Sequence, residues 1–303
     1  MRTQSLLSLS FCALAVLMLD GCAKLQDTPP APVAPGIAVH PAGWSDAASP
    51  NFHGAAIAAS SWDMRPCRTC HGQTYAGGAV DVSCLTCHTK AAGPENCTTC
   101  HGGVNAAPPK DLENNTSTTA RGVGAHQVHL VGPRQLSSAI ITCSDCHHVP
   151  AAVYDPGHLD TPLPVEVALN NPLAKIPTGG LTPTPKYDYA TGKCSNMFCH
   201  GTWRLPKTGT LYTFVYQDTA TAMTGASFAP VWNGGSSQAA CGTCHSSVAK
   251  EGPSIVPAGH NYSDISGCAG CHAGVVDATG KIIDQTKHIN GKVNVFGQEF
   301  DFR

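Results

Sequence analysis

Six times in this 303-residue chain two cysteines stand three positions apart with a histidine directly after the second. The sets are Cys67, Cys70 and His71; Cys84, Cys87 and His88; Cys97, Cys100 and His101; Cys143, Cys146 and His147; Cys241, Cys244 and His245; and Cys268, Cys271 and His272. A seventh set is wider, Cys194-Ser-Asn-Met-Phe-Cys199-His200. Two thiols at this range can add to the two vinyl groups of one porphyrin, and the His after the second Cys is then placed beneath the iron as an axial ligand. Zinc ribbons, iron–sulfur sites and thiol redox centres also use paired cysteines, but none of them demands a His at the next position. With 15 His in 303 residues, finding one after all seven pairs by accident has odds on the order of 10⁻⁹. The spacing therefore indicates covalently attached haem c, seven per chain.

The wide set has a competing reading as a disulfide or a pair of free thiols, and its two extra residues must bulge out if both sulfurs are to reach one porphyrin. Cysteine arithmetic favours attachment. Of 16 Cys, Cys12 lies in an apolar leader and Cys22 ends it, so the other 14 match two thioethers for each of seven haems. No disulfide is then needed.

Eight His remain once His71, His88, His101, His147, His200, His245 and His272 are assigned as proximal ligands. His53, His126, His129, His158, His260 and His288 are read as distal ligands on the opposite faces of the irons. His148 adjoins a proximal His, so it can serve only a neighbouring haem, and His40 lies at the edge of a Pro-rich stretch. One of these two is expected to be the spare, and His40 is kept because it opens a Trp-containing segment. Methionine is the other common distal ligand, but Met64, Met197 and Met223 read as packing residues. The expectation is bis-histidine, low-spin iron throughout, with no position left open for a substrate.

These ligands must be positioned by a chain with little capacity for regular structure. It holds 31 Gly and 23 Pro and shows no sustained helical periodicity. Roughly 40 residues per cofactor cannot enclose each one in an ordinary core, so the cofactors must themselves form the core. The expected fold is a multihaem cytochrome c: mostly irregular loops, short α-helices at or after the Cys-His motifs, and a few short β-strands around a stack of seven haems.

Along the chain, residues 1–21 read as a lipoprotein signal peptide, ending in Leu19-Asp20-Gly21 before Cys22, the residue that would carry the lipid. An ordinary secretory leader is the alternative. Residues 22–39 are Pro- and Ala-rich and read as a tether. Residues 40–107 form a first haem segment with three motifs, 108–122 a surface loop, 123–190 the fourth motif with a long Pro-rich loop, and 191–303 the last three motifs. Leu211 to Gln217 reads as a short strand, and the segment from His288 to Phe296 as a hairpin or edge strand.

The run Cys194-Ser-Asn-Met-Phe-Cys199-His200-Gly-Thr-Trp203, with Trp232, Cys241-Gly-Thr-Cys244-His245, Gly-His260 and His288-Ile-Asn-Gly, resembles the C-x4-C-H/C-x2-C-H multihaem cytochromes of metal-reducing bacteria. The resemblance spans about residues 40–303 and implies an exported protein, often an outer-membrane lipoprotein facing the periplasm or the cell surface. It also implies electron transfer to redox partner proteins or to an extracellular acceptor in anaerobic respiration. The reading is an electron carrier rather than an enzyme. A multihaem reductase of nitrite, hydroxylamine or a sulfur oxyanion is the alternative, although no motif shows the altered proximal ligand of that class. A subunit of a cytochrome filament, a homo-oligomer joined by ligands from His40 or His288, is a third reading. The net charge of −2 offers no basic face for nucleic acid. Phosphate-loop, dinucleotide and serine-nucleophile motifs are absent from the sequence.

Overall fold

The computed structural model describes residues 39–131, 141–159, 165–240, 242–245, 256–262 and 267–302. The leader, Cys22, nearly all of the tether and Cys241 lie outside the described residues. The chain divides into two compact units, Met1–Ser83 and Cys84–Arg303, so the first motif falls in one unit and the other six in the second.

Irregular backbone dominates both units. The first contains α1 (His53–Ala59) and α2 (Arg68–His71), and the second contains α3 (Cys97–Cys100), α4 (His126–Leu130) and α5 (Cys268–Cys271). Isolated helices this short are marginal in water, and no described helix is long and apolar enough to cross a membrane.

Most of these turns coincide with the Cys-His motifs. Helical rotation places positions i, i+3 and i+4 on one face, which is the spacing of Cys, Cys and His. The backbone follows: His88, His101, His147 and His272 each donate their N–H to the carbonyl of the first Cys of the motif, at 3.0, 2.9, 2.8 and 2.7 Å. Both sulfurs and the ring are thereby directed to one side of a single turn.

Among the described residues the second unit also holds three antiparallel two-stranded ribbons: β1 (Lys186–Asp188) with β2 (Lys193–Ser195), β3 (Arg204–Pro206) with β4 (Ala222–Thr224), and β5 (Lys292–Val295) with β6 (Gln298–Asp301). The last is the hairpin expected near the C-terminus. Its two-residue loop, Phe296 at φ 50° and Gly297 at φ 73°, has the doubly positive φ of a type I′ turn, whose twist matches the flanking strands. The expected strand from Leu211 to Gln217 does not form. It is a 3₁₀ turn over Thr213–Val215 followed by one bridge between Tyr216 and His260. Strand propensity needs a partner of matching length, and here the apolar content is used in burial: Tyr216 is 2% exposed, and its hydroxyl donates to the Pro206 carbonyl at 3.0 Å.

The apolar core is small. Leu169, Ala174 and Met197 pack together against Cys146, Val167, Tyr187, Cys194 and Cys199. The Pro-rich segment earns its place here: Ala168 and Asn170 donate their N–H groups to the carbonyls of Cys146 and Asp145, at 2.7 and 2.5 Å, laying this stretch over the fourth motif. Met64, Met197 and Met223 are all buried, in keeping with packing roles. Large apolar side chains stay exposed beside the motifs, among them Val82, Leu85, Val104, Val149 and Phe296.

Truncating Met197 to Ala in the holoprotein should cost about 2–5 kcal/mol, whereas Leu211→Ala, at a position 87% exposed, should stay within about 0.5 kcal/mol of the parent. Guanidinium titration followed by tryptophan fluorescence checks both.

Candidate functional site

A metal–imidazole bond is about 2.0 Å long and the ring centre lies roughly 1.2 Å behind the bonding nitrogen, so two imidazoles on opposite sides of one metal have centres about 6.4 Å apart. Among the described residues, five pairs of histidine rings stand at about this separation. His40 faces His71 at 6.1 Å, His101 faces His158 at 6.1 Å, and His126 faces His147 at 6.2 Å. His129 faces His200 at 6.4 Å, and His245 faces His288 at 6.0 Å. Each pair joins a histidine that follows a motif cysteine to one that does not. His260 couples electrostatically to His272. His53 lies in the first unit, its ring 4.2 Å from that of Phe52, and His88 belongs to the second unit. His148 is exposed.

Hydrogen bonds set which ring nitrogen is available. A carbonyl can only accept, so a ring whose Nδ1 contacts one carries its proton on Nδ1 and keeps the Nε2 lone pair for a metal. Among the proximal rings, His71 donates to Val82 O at 2.8 Å, His147 to Glu166 O at 2.8 Å and His272 to Asn294 O at 2.6 Å. Among the others, His53 donates to Trp44 O at 2.9 Å, His126 to Val123 O at 2.9 Å, His129 to Ala125 O at 2.9 Å and His158 to Val153 O at 2.7 Å. Burial also keeps rings neutral. It pushes His200 down to about 4, with His129 opposite adding to the effect, and it lowers His101, with His158 and His147 as further causes.

Five of the motif thiols sit in surroundings that oppose a thiolate. Burial pushes Cys199 up to about 12 and Cys194 up to about 11, and it raises Cys100, Cys146 and Cys244. A zinc site or a thiol redox centre needs the anion and lowers this value, whereas a thioether is neutral and suits such burial. Cys194 and Cys199 are not joined as a disulfide, nor are the cysteines of the sets ending at His71, His101 and His147.

The wide set reaches the same chemistry by another route. Cys194 lies on β2 with its N–H bonded to Pro230 O at 2.9 Å. Asn196 turns the chain through φ 56°, and a 3₁₀ turn, Phe198–His200, delivers Cys199 and His200. Within the longer spacer, the side chains of Met197 and Phe198 are buried, 5% and 4% exposed. Their apolar side chains have a core to enter, which is the physical reason. Gly201, at φ 89°, passes so close to the next motif that a Cβ would lie 2.3 Å from the Cys244 carbonyl oxygen. The Thr202 hydroxyl is buried with no partner in the protein, so a polar edge from a bound group would suit it.

Short α4 presents His126 and His129, one helical turn apart, to two different proximal rings. Trp232 secures both, edge-on to His126 with centroids 4.8 Å apart and stacked on His129 at 5.6 Å. Its Nε1–H donates to Arg121 O at 3.0 Å. A Cβ on Gly124 would lie 2.0 Å from the Trp232 Nε1, so this close approach needs glycine. Gln127, from the same helix, donates to Asn105 Oδ1 at 3.0 Å and to Ala107 O, tying α4 to the segment after the third motif. Residue-type spacing did not single out Trp232 or Gly124 for this role; a lone Trp and a lone Gly carry no pattern.

Residues 193–245 match the model of a family described as the Geobacter CxxxxCH...CXXCH motif. No curated protein and no solved structure matches the chain. The match covers 53 of the 303 residues and, with the motif set, suggests a haem-binding electron-transfer protein.

Replacing Trp232 with Ala should loosen both imidazoles of α4 and turn up to two irons of the holoprotein high-spin, without loss of attached haem. Gly201→Val should instead lower haem attachment at the sets ending in His200 and His245, because it forces the two backbones apart. Electron paramagnetic resonance and intact mass, taken on the same samples, check the pair of outcomes.

Proposed function

We propose that the chain is a heptahaem c-type cytochrome that relays electrons at the cell envelope. The observation that carries this reading is the set of five facing histidine pairs with centres 6.0–6.4 Å apart. Each pair combines a ring tied to a Cys pair with a ring brought from elsewhere in the chain. The bound group supplies the reversible iron couple. The protein supplies two thioether links at each motif and two axial imidazoles at six of them, which favours low-spin iron at low potential.

In this reading His40, His158, His126, His129, His288 and His260 are the distal ligands to the irons of His71, His101, His147, His200, His245 and His272. His148, exposed beside His147, is the spare. His126 and His129, one turn apart on α4, bring two sites close enough for rapid exchange of electrons. Six sites with both axial positions assigned, and seven motifs that keep an unaltered proximal His, suit a carrier better than an oxyanion reductase. Export as a lipoprotein through Cys22, attachment to the outer membrane and service to an extracellular acceptor or redox partner protein belong to the same proposal. They rest on the leader sequence and the family resemblance.

Intact mass of the exported holoprotein should count seven haems and an acylated Cys22; fewer haems, or an intact leader, overturns that part. His40→Ala should convert one iron to high spin, and His148→Ala none. A spectrum in which the His148 variant changes and the His40 variant does not would reverse the assignment. The ring planes of His40 and His71 lie 18° apart and those of His129 and His200 lie 67° apart. Parallel ligand planes split the iron d orbitals most, so the His40 variant should remove a rhombic low-spin signal rather than a strongly axial one.

A further inference from the structure

Among the described residues, His260 differs from seven other imidazoles in the direction of its Nδ1 hydrogen bond. Seven rings donate Nδ1–H to a carbonyl, whereas at His260 the backbone N–H of Tyr262 donates to Nδ1 at 3.1 Å. That occupies the Nδ1 lone pair, so the neutral ring carries its proton on Nε2. Neither nitrogen of such a ring offers a lone pair to a metal. The chain also holds the donor in place: Asn261 N–H bonds to Val215 O at 2.8 Å, Asn261 Nδ2–H bonds to Phe214 O at 3.2 Å, and His260 bridges Tyr216. The Tyr262 ring packs 5.7 Å from the His260 ring. Among the described residues, His260 and His272 do not face each other at about 6 Å as the five other pairs do.

We propose that His260 is a displaceable ligand, which binds the iron carried by Cys268, Cys271 and His272 weakly and yields its position to a small neutral π-acceptor such as carbon monoxide or nitric oxide. To bind, His260 must give up the Tyr262 hydrogen bond and move its proton from Nε2 to Nδ1. When an exogenous ligand takes the position, the iron–Nε2 bond breaks, a bond to the incoming ligand forms, and the hydrogen bond to Tyr262 returns. Iron keeps its oxidation state. The inference rests on the reading of the chain as a bis-histidine haem c protein and adds one exchangeable site to it.

The test is a carbon monoxide titration of the full-length, dithionite-reduced holoprotein, followed optically. About one equivalent per chain is expected, with the other irons remaining low-spin. Cys268→Ala combined with Cys271→Ala should abolish uptake and leave the other haems attached. Tyr262→Pro, which deletes the peptide N–H, should lower carbon monoxide affinity roughly tenfold. His260→Ala keeps the test decisive should the Pro variant fail to accumulate: uptake must stay at one equivalent, because the same iron is open. No uptake by a wholly low-spin protein overturns the proposal and leaves the bis-histidine reading standing, and several equivalents overturn that reading itself. Uptake that persists in the double Cys variant, unchanged affinity in Tyr262→Pro, or two equivalents in His260→Ala overturns the assignment to His260.

Discussion

Two imidazoles that share one iron must stand on opposite sides of it at a fixed separation, and the folds of both units are consistent with meeting that constraint. His101 and His158 are 57 residues apart in sequence, His129 and His200 are 71 apart, and each pair is brought to within 6.1–6.4 Å. Few other long-range devices are available. The apolar core is a handful of side chains, the ribbons are three or four residues long, and the longest described helix has seven residues. Elements this short are not stable alone. Coordination bonds and thioethers would supply the cross-links that a larger domain draws from apolar burial.

The backbone prepares those bonds locally. A single turn turns two sulfurs and a ring to one side, and a carbonyl behind the ring holds the proton on Nδ1, as at His71, His147 and His272. Outer hydrogen bonds of this kind fix ring orientation and raise ligand basicity. Burial of Cys194 and Cys199, which disfavours a thiolate, fits a sulfur that ends as a neutral thioether. The wide set shows that spacing is not rigid: an αL residue and two buried apolar side chains absorb the additional length. Its position is also bound to the next motif, since Gly201 lies against the Cys244 carbonyl.

Much of the site was legible before any coordinates, because covalent attachment demands residue types at fixed short separations. The fourteen cysteines and seven histidines of the candidate sites were picked out by that demand alone, and the scarcity of regular structure was read from Gly and Pro content and the few residues per cofactor. The C-terminal hairpin was also readable, from alternation across a turn. Leu211 to Gln217 was misread, since aromatic content describes what a strand tolerates and not whether a partner strand lies beside it.

Which ring faces which depends on loops tens of residues long, and a loop of that length carries no sequence pattern that specifies its path. Only the folded chain places His40 against His71 and sets His126 and His129 toward different proximal rings with Trp232 between them. Only there does the Tyr262 N–H meet His260, a contact made by backbone and therefore invisible in side-chain types. The sequence by itself determined what chemistry the chain can carry, because thioether and proximal ligand are local along the backbone. The tertiary structure decided which second imidazole stands opposite each of five motif histidines, because in each of those pairs the second ring comes from 21 to 71 residues away.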